Sequence, residues 1–161
     1  MIKKFNILFI TFFKIGKIKF APGTIASLIT CLLFFLFANL SNILILFFST
    51  LLIALYSLVA INNSFDSFDS EDPQEIVIDE VVGQMLPLLA VPIYETLYIA
   101  PEEYYCIAAF ILFRLFDIWK PFPINYIDIN TEGALGIMLD DILAGIYTII
   151  ILIIIFFFIG A

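Results

Sequence analysis

Apolar positions along this chain come in long runs rather than in alternation. Leu28–Leu40 and Ile43–Ile61 are nearly unbroken, parted only by Asn39 and Ser41-Asn42. A third apolar segment begins at Ile76 and ends near Ala100, a fourth covers Tyr104–Trp119, and a fifth covers Ile142–Ile159. A helix needs about 20 residues to cross the hydrocarbon of a bilayer. The second run has that length, the first reaches it if it starts near Thr24, and the pair reads as a helical hairpin. Pro87 and Pro92 interrupt the third segment, which membrane helices tolerate when neighbours satisfy the freed backbone. Residues 1–20 mix Lys3, Lys4, Lys14, Lys17 and Lys19 with apolar side chains. A signal peptide would be followed by small residues at a cleavage site, but lysines follow instead. A short basic amphipathic helix on the membrane surface fits better. The pattern predicts a single domain over 1–161, an all-α integral membrane bundle of about five transmembrane helices plus a short N-terminal interfacial helix.

Composition supports that class. Of 161 residues, 63% are hydrophobic and 14% charged, against about half and a quarter in soluble domains. The mean hydropathy is +1.14. A net charge of −8 argues against nucleic acid as a partner, because phosphate backbones demand a basic footprint. Cys31 and Cys106 sit in apolar runs, where thiols behave as small hydrophobes.

Against this background the stretch Phe113–Gly145 stands out. It holds Arg114 and Lys120, the only cations beyond the N-terminal segment, with Asp117, Asp128, Glu132 and the pair Asp140–Asp141. Charges in or beside a bilayer are costly and by default mark a functional site. Asp79 and Glu80 enter the third apolar segment between IVI and VV, and Gly83 one turn on permits close approach of a partner or ligand. Arg114 and Asp117 are three apart and share a helix face; an ion pair between them is the simplest reading. Pro121 and Pro123 end that helix, and residues 124–136 read as a loop. Near the N-terminus, Pro22-Gly23-Thr24 forms a turn. Thr24 or Ser27 there either caps the next helix or meets an anion at its N-terminus.

Lysines before the first span place the N-terminus in the cytoplasm. Counting five crossings then brings residues 1–27, 62–80 and 117–141 to that side. The Pro-Gly-Thr turn, Asp79–Glu80, Arg114 to Lys120 and Asp140–Asp141 thus converge on one leaflet. Clustered carboxylates bind hard cations such as magnesium, while arginine and lysine hold phosphate. Together they suit phosphoryl transfer. The chain has no histidine, which excludes histidine phosphatases, Ser-His-Asp triads and a histidine base. Cys106 and Arg114 are too far apart for a cysteine-phosphatase loop. Asp128-x-Asn130-x-Glu132-Gly133 begins like a calcium-binding loop, but Leu139 stands where its closing glutamate belongs.

In order along the chain come Pro22-Gly23-Thr24 with Ser27-Leu28, then Asp79-Glu80-x-x-Gly83, then Phe113-Arg114-x-x-Asp117-x-Trp119-Lys120-Pro121-x-Pro123. Asp128, Gly133 and Gly136-Ile137-Met138-x-Asp140-Asp141-x-x-Ala144-Gly145 complete the set. In these motifs the chain resembles the phosphatidylglycerophosphatase A family, small membrane enzymes of bacterial phospholipid synthesis. Ala26 and Glu132 stand where that family commonly has glycine. The resemblance implies magnesium-dependent hydrolysis of phosphatidylglycerophosphate to phosphatidylglycerol and phosphate. It implies a multi-pass protein of the bacterial inner membrane, with substrate in the cytoplasmic leaflet and the active site facing the cytoplasm. On this reading Asp79, Glu80, Asp140 and Asp141 hold Mg2+. Arg114 and Lys120, with Thr24 and Ser27, bind the substrate phosphate, and Asp117 is a catalytic carboxylate, orienting Arg114 or acting as a further ligand. Two rivals differ in class. A lipid phosphotransferase acting on nucleotide-activated lipids would space its acids by three residues around glycine and arginine, a pattern missing here. An ion or proton pathway would place its acids at mid-membrane depth facing a pore.

Overall fold

The computed structural model describes residues 2–38, 42–68, 73–91 and 102–159. Within them the chain is all-helical, with seven α-helices and no strand. They are α1 (Ile2–Ile10), α2 (Pro22–Ala38), α3 (Ile43–Asn62), α4 (Ile78–Leu88), α5 (Glu102–Trp119), α6 (Ile124–Asn130) and α7 (Gly133–Ile159). Single 3-10 turns occur at Ile15–Lys17 and Phe65–Ser67.

Two helices, Ile43–Asn62 and Gly133–Phe158, are long and apolar enough to cross a membrane. The other expected spans are less complete. α2 has 17 residues and α4 has 11, short of the length a span needs. α5 has 18 but carries Glu102, Glu103, Arg114 and Asp117. The second half of the third expected span, from residue 92 to 100, lies outside the described residues, as does the 39–41 turn. Large apolar side chains nonetheless face outward on several helices. Leu36, Leu52, Ile118, Trp119 and Phe158 are each more than half exposed, and large apolar side chains exposed on several helices suit an apolar environment.

The short α4 is the hub. It packs against α7, α2, α3 and α5, and Ile78, Val81, Val82, Gly83, Gln84, Pro87 and Leu88 are all buried. Helices in lipid gain little from hiding apolar groups from one another, so close packing must carry their association. Gly83 and Gly145 provide it where α4 meets α7. A Cβ on Gly145 would stand 2.5 Å from the Gly83 carbonyl oxygen, and one on Gly83 would stand 2.7 Å from that of Asp141.

Three expectations about elements need correction. α7 begins at Gly133, not Ile142, so Asp140 and Asp141 lie inside a helix rather than at its edge. After Gly136 nothing in the sequence breaks a helix, and the two aspartates do not. The expected 124–136 loop contains α6, whose Ile124 is fully buried against Phe113, Phe116 and Ala144. The N-terminal helix stops at Ile10, where Phe12, Phe13 and Lys14 take positive φ. That helix is also docked rather than free. The Tyr56 hydroxyl donates to Asn6 Oδ1 at 2.8 Å, and Phe9 meets the Tyr56 ring edge-on at 4.9 Å.

Candidate active site

Four helices deliver the site. Pro22 occupies the first position of α2, where its missing N–H costs nothing, and the first helical hydrogen bond runs from Ile25 N–H to the Ala21 carbonyl at 3.1 Å. Thr24 therefore lies within the first turn and not at the cap. Ser27 is deeper still: it is fully buried and its hydroxyl donates to the Gly23 carbonyl at 2.9 Å. Of the two hydroxyls expected at the substrate, only Thr24 borders the cavity described below.

The first turn of α4 presents Asp79 and Glu80, and α7 presents Asp141. One carboxylate oxygen from each lies within 4.8 Å of the others. Asp79 Oδ1, Glu80 Oε2 and Asp141 Oδ1 are buried without a hydrogen-bond partner among the described residues. Burial pushes the Asp79 carboxyl well above the usual range, and repulsion from Glu80 adds to this. Burial likewise pushes Glu80, which also lies outside both candidate spans, up to about 7. Asp141 is buried and Asp79 and Glu80 are half-buried. Carboxylates this close relieve their mutual repulsion either by holding protons, the direction in which Asp79 and Glu80 are pushed, or by sharing a cation. Their hard oxygens suit a divalent ion of the magnesium kind, so these three residues fit the group that the sequence implies.

Asp140 stands apart from this triad. Its Oδ2 accepts from Lys120 Nζ at 2.7 Å and its Oδ1 accepts from the Asp141 N–H at 3.0 Å. Lys120 Nζ also donates to Asp128 at 2.6 Å. Burial alone would lower the Lys120 ammonium, but its bonds to Asp128 and Asp140 outweigh this and hold it above its ordinary value. Lys120 ends α5 in the left-handed region, φ 46°, a conformation costing roughly 1–2 kcal/mol for a side-chain-bearing residue. Its two ion pairs offset that cost.

Arg114 projects from α5 beside Asp117. Its Nη1 is 2.5 Å from Asp117 Oδ2 and 3.9 Å from Glu80 Oε1. These are charge contacts without aligned hydrogen bonds, for Nη1 and Nε have no hydrogen-bond partner among the described residues. Donors remain for an anion. The expected Arg114–Asp117 pair is therefore present, with Glu80 as a further neighbour.

These groups border one cavity of about 390 Å3, lined among others by Gly23, Thr24, Asp79, Arg114, Lys120 and Asp141. Lys19 and Gln74 also border it; neither was expected there. A second cavity of about 510 Å3 shares Asp79 and Asp140 and extends to Asp128 and Glu132. Gly23 is the tightest point. A Cβ there would fall 1.9 Å from Glu80 Oε1 and 3.3 Å from Arg114 Nη1. Gly23→Ala is expected to leave the fold intact, since a flexible carboxylate tip can move, but to push Glu80 out of the triad. Metal affinity in the purified variant should fall by about tenfold or more, measured by calorimetry; unchanged affinity would mean Glu80 is not held by this contact.

The sequence profile of a family described as Phosphatidylglycerophosphatase A matches residues 8–156. Among curated proteins, a provisionally named phosphatidylinositol-3-phosphatase of Bacteroides thetaiotaomicron is 40% identical, covering 88% of this chain and 87% of that protein. A phosphatidylglycerophosphatase A of Haemophilus influenzae is 38% identical over 84% of this chain and 79% of its own length. Its Escherichia coli namesake is 41% identical over 47% of this chain and 40% of its own. No solved structure matches the chain significantly.

Proposed function

The chain belongs to the phosphatidylglycerophosphatase A family, and from that premise we propose that it hydrolyses phosphatidylglycerophosphate to phosphatidylglycerol and inorganic phosphate. The observation that carries this reading is the triad Asp79, Glu80 and Asp141, each with a buried carboxylate oxygen lacking a hydrogen-bond partner among the described residues, bordering the same cavity as Arg114. Magnesium, when bound by those three carboxylates, supplies charge neutralisation for the phosphoryl group. Arg114 binds phosphate oxygens, and Asp117 fixes its guanidinium. Lys120 keeps one ammonium proton free beyond its two bonds and can offer it to the same phosphate. Asp140, with both oxygens engaged, positions Lys120 rather than joining the triad. The N–H groups of Gly23 and Thr24, which precede the first α2 hydrogen bond, add donors for an anion. Water provides the new oxygen on phosphorus, the bond to the glycerol oxygen breaks, and the released lipid hydroxyl takes up a proton.

A second reading has a specific support. The Bacteroides relative bears the name of a phosphatidylinositol-3-phosphatase, and that lipid also carries a phosphomonoester on a polyol. Phosphate release from the two lipids, followed side by side in detergent, decides between them. We expect kcat/KM to favour phosphatidylglycerophosphate by about tenfold or more; the reverse order transfers the assignment to the inositol lipid.

On this reading the protein is a multi-pass chain of the bacterial cytoplasmic membrane with its site facing the cytoplasm, a reading supported by its N-terminal lysines. Cys31 and Cys106 are buried, so an introduced thiol reports alone. Asp66→Cys should react with an impermeant reagent in inverted vesicles and stay protected in intact cells. Labelling in intact cells would reverse the orientation.

A further inference from the structure

Three cations border the 390 Å3 cavity: Lys19, Arg114 and Lys120. Arg114 is neutralised by Asp117 and Glu80, and Lys120 by Asp128 and Asp140. Lys17 is paired with Glu75 at 3.8 Å. Lys19 has no ion pair among the described residues, so its charge is uncommitted. It is exposed, and Phe20 beside it is 84% exposed and Ile18 43%. A lysine between exposed apolar side chains belongs at a lipid–water boundary, stem in the apolar layer and ammonium in the headgroups.

A phospholipid phosphate brings two anions to such a site. The terminal monoester must reach the carboxylate triad. The diester that joins the headgroup to diacylglycerol stays nearer the bilayer, at the cavity's rim. A cavity of this size falls in the range of small-molecule sites, about 300–1,000 Å3, and is larger than one phosphate requires. We propose that Lys19 binds this phosphodiester and makes the site selective for lipids carrying both a phosphomonoester and a phosphodiester, over lipids with the monoester alone. The inference rests on the lipid-phosphatase reading and adds to it a residue that determines specificity. It also embraces both lipid names found among the relatives, since each of those lipids has a diester.

The test compares kcat/KM for phosphatidylglycerophosphate and for phosphatidate, which has no diester, using the purified full chain in mixed micelles of neutral detergent. Losing a charged hydrogen bond should lower the ratio of the two about tenfold in Lys19→Gln, and Lys19→Arg should restore most of it. The wild-type ratio should also narrow with salt, because an exposed contact is screened. A ratio unchanged in Lys19→Gln, whether both rates persist or fall together, overturns the proposal. Binding of phosphatidylglycerol, which has the diester and no monoester, gives a readout without turnover. Affinity should weaken about tenfold in Lys19→Gln; equal affinity refutes the role of Lys19. A wild-type chain that hydrolyses neither lipid would instead refute the phosphatase reading, and the binding arm would still judge Lys19.

Discussion

Asp141→Asn is expected to lower phosphate release at least about 10³-fold, several kcal/mol of transition-state stabilisation, while the protein still inserts and folds. Asp141 is 3% exposed, and its Oδ1 has no partner among the described residues. In the metal-free protein it adds repulsion to Asp79 and Glu80. An amide of the same shape removes that repulsion, so the variant without metal should unfold at the wild-type temperature or above it. Magnesium should then raise the unfolding temperature of the wild type and leave that of the variant unmoved, because binding stabilises only the state that holds the ion. The two effects have opposite signs, which separates loss of a ligand from general damage. A variant that is active, or that magnesium stabilises as much as the wild type, removes Asp141 from the triad.

Arg114→Gln should reduce kcat/KM by about 10²–10³. It removes the donors proposed to hold the phosphate and also strips Asp117 and Glu80 of their cation. The Arg114–Asp117 pair is only partly buried, so breaking it costs less than the about 3–5 kcal/mol of a fully buried pair, yet part of the loss in the single variant will reflect stability. Arg114→Gln with Asp117→Asn relieves the stranded carboxylate and should recover most of the folding stability without recovering activity. Arg114→Lys should restore little activity, since an ammonium cannot present a planar fork of donors. If the double variant regains turnover, Arg114 serves the fold and not the phosphate.

Much of the architecture was legible because apolar runs leave few choices. The helical class, the close approach at Gly83 and the convergence of Asp79–Glu80, Arg114–Asp117 and Asp140–Asp141 follow from run lengths and from charges too costly to scatter. The division of labour between Asp140 and Asp141 was not legible. Neighbours on a helix point about 100° apart, so one reaches the triad and the other Lys120, and sequence alone does not say which. Ser27 was misread because a serine one turn inside a helix satisfies its hydroxyl on the i−4 carbonyl. Pro121 and Pro123 before it and Gly133 and Gly136 within it suggested a loop over 124–136, but Ile124, fully buried against α5 and α7, keeps the stretch Ile124–Asn130 helical. Lys19 lay within a lysine-rich segment read as a surface helix. Only the end of α1 at Ile10 and the turn through Ala21, φ 44°, bring it to the cavity.

The most direct test of the central claim is phosphate release from phosphatidylglycerophosphate by the purified wild-type protein in detergent, with magnesium and then with chelator. The triad predicts turnover with magnesium, none after chelation, and recovery when the ion is restored. Release that persists undiminished in chelator, or no release from folded protein in magnesium, would contradict a metal-assisted lipid phosphatase.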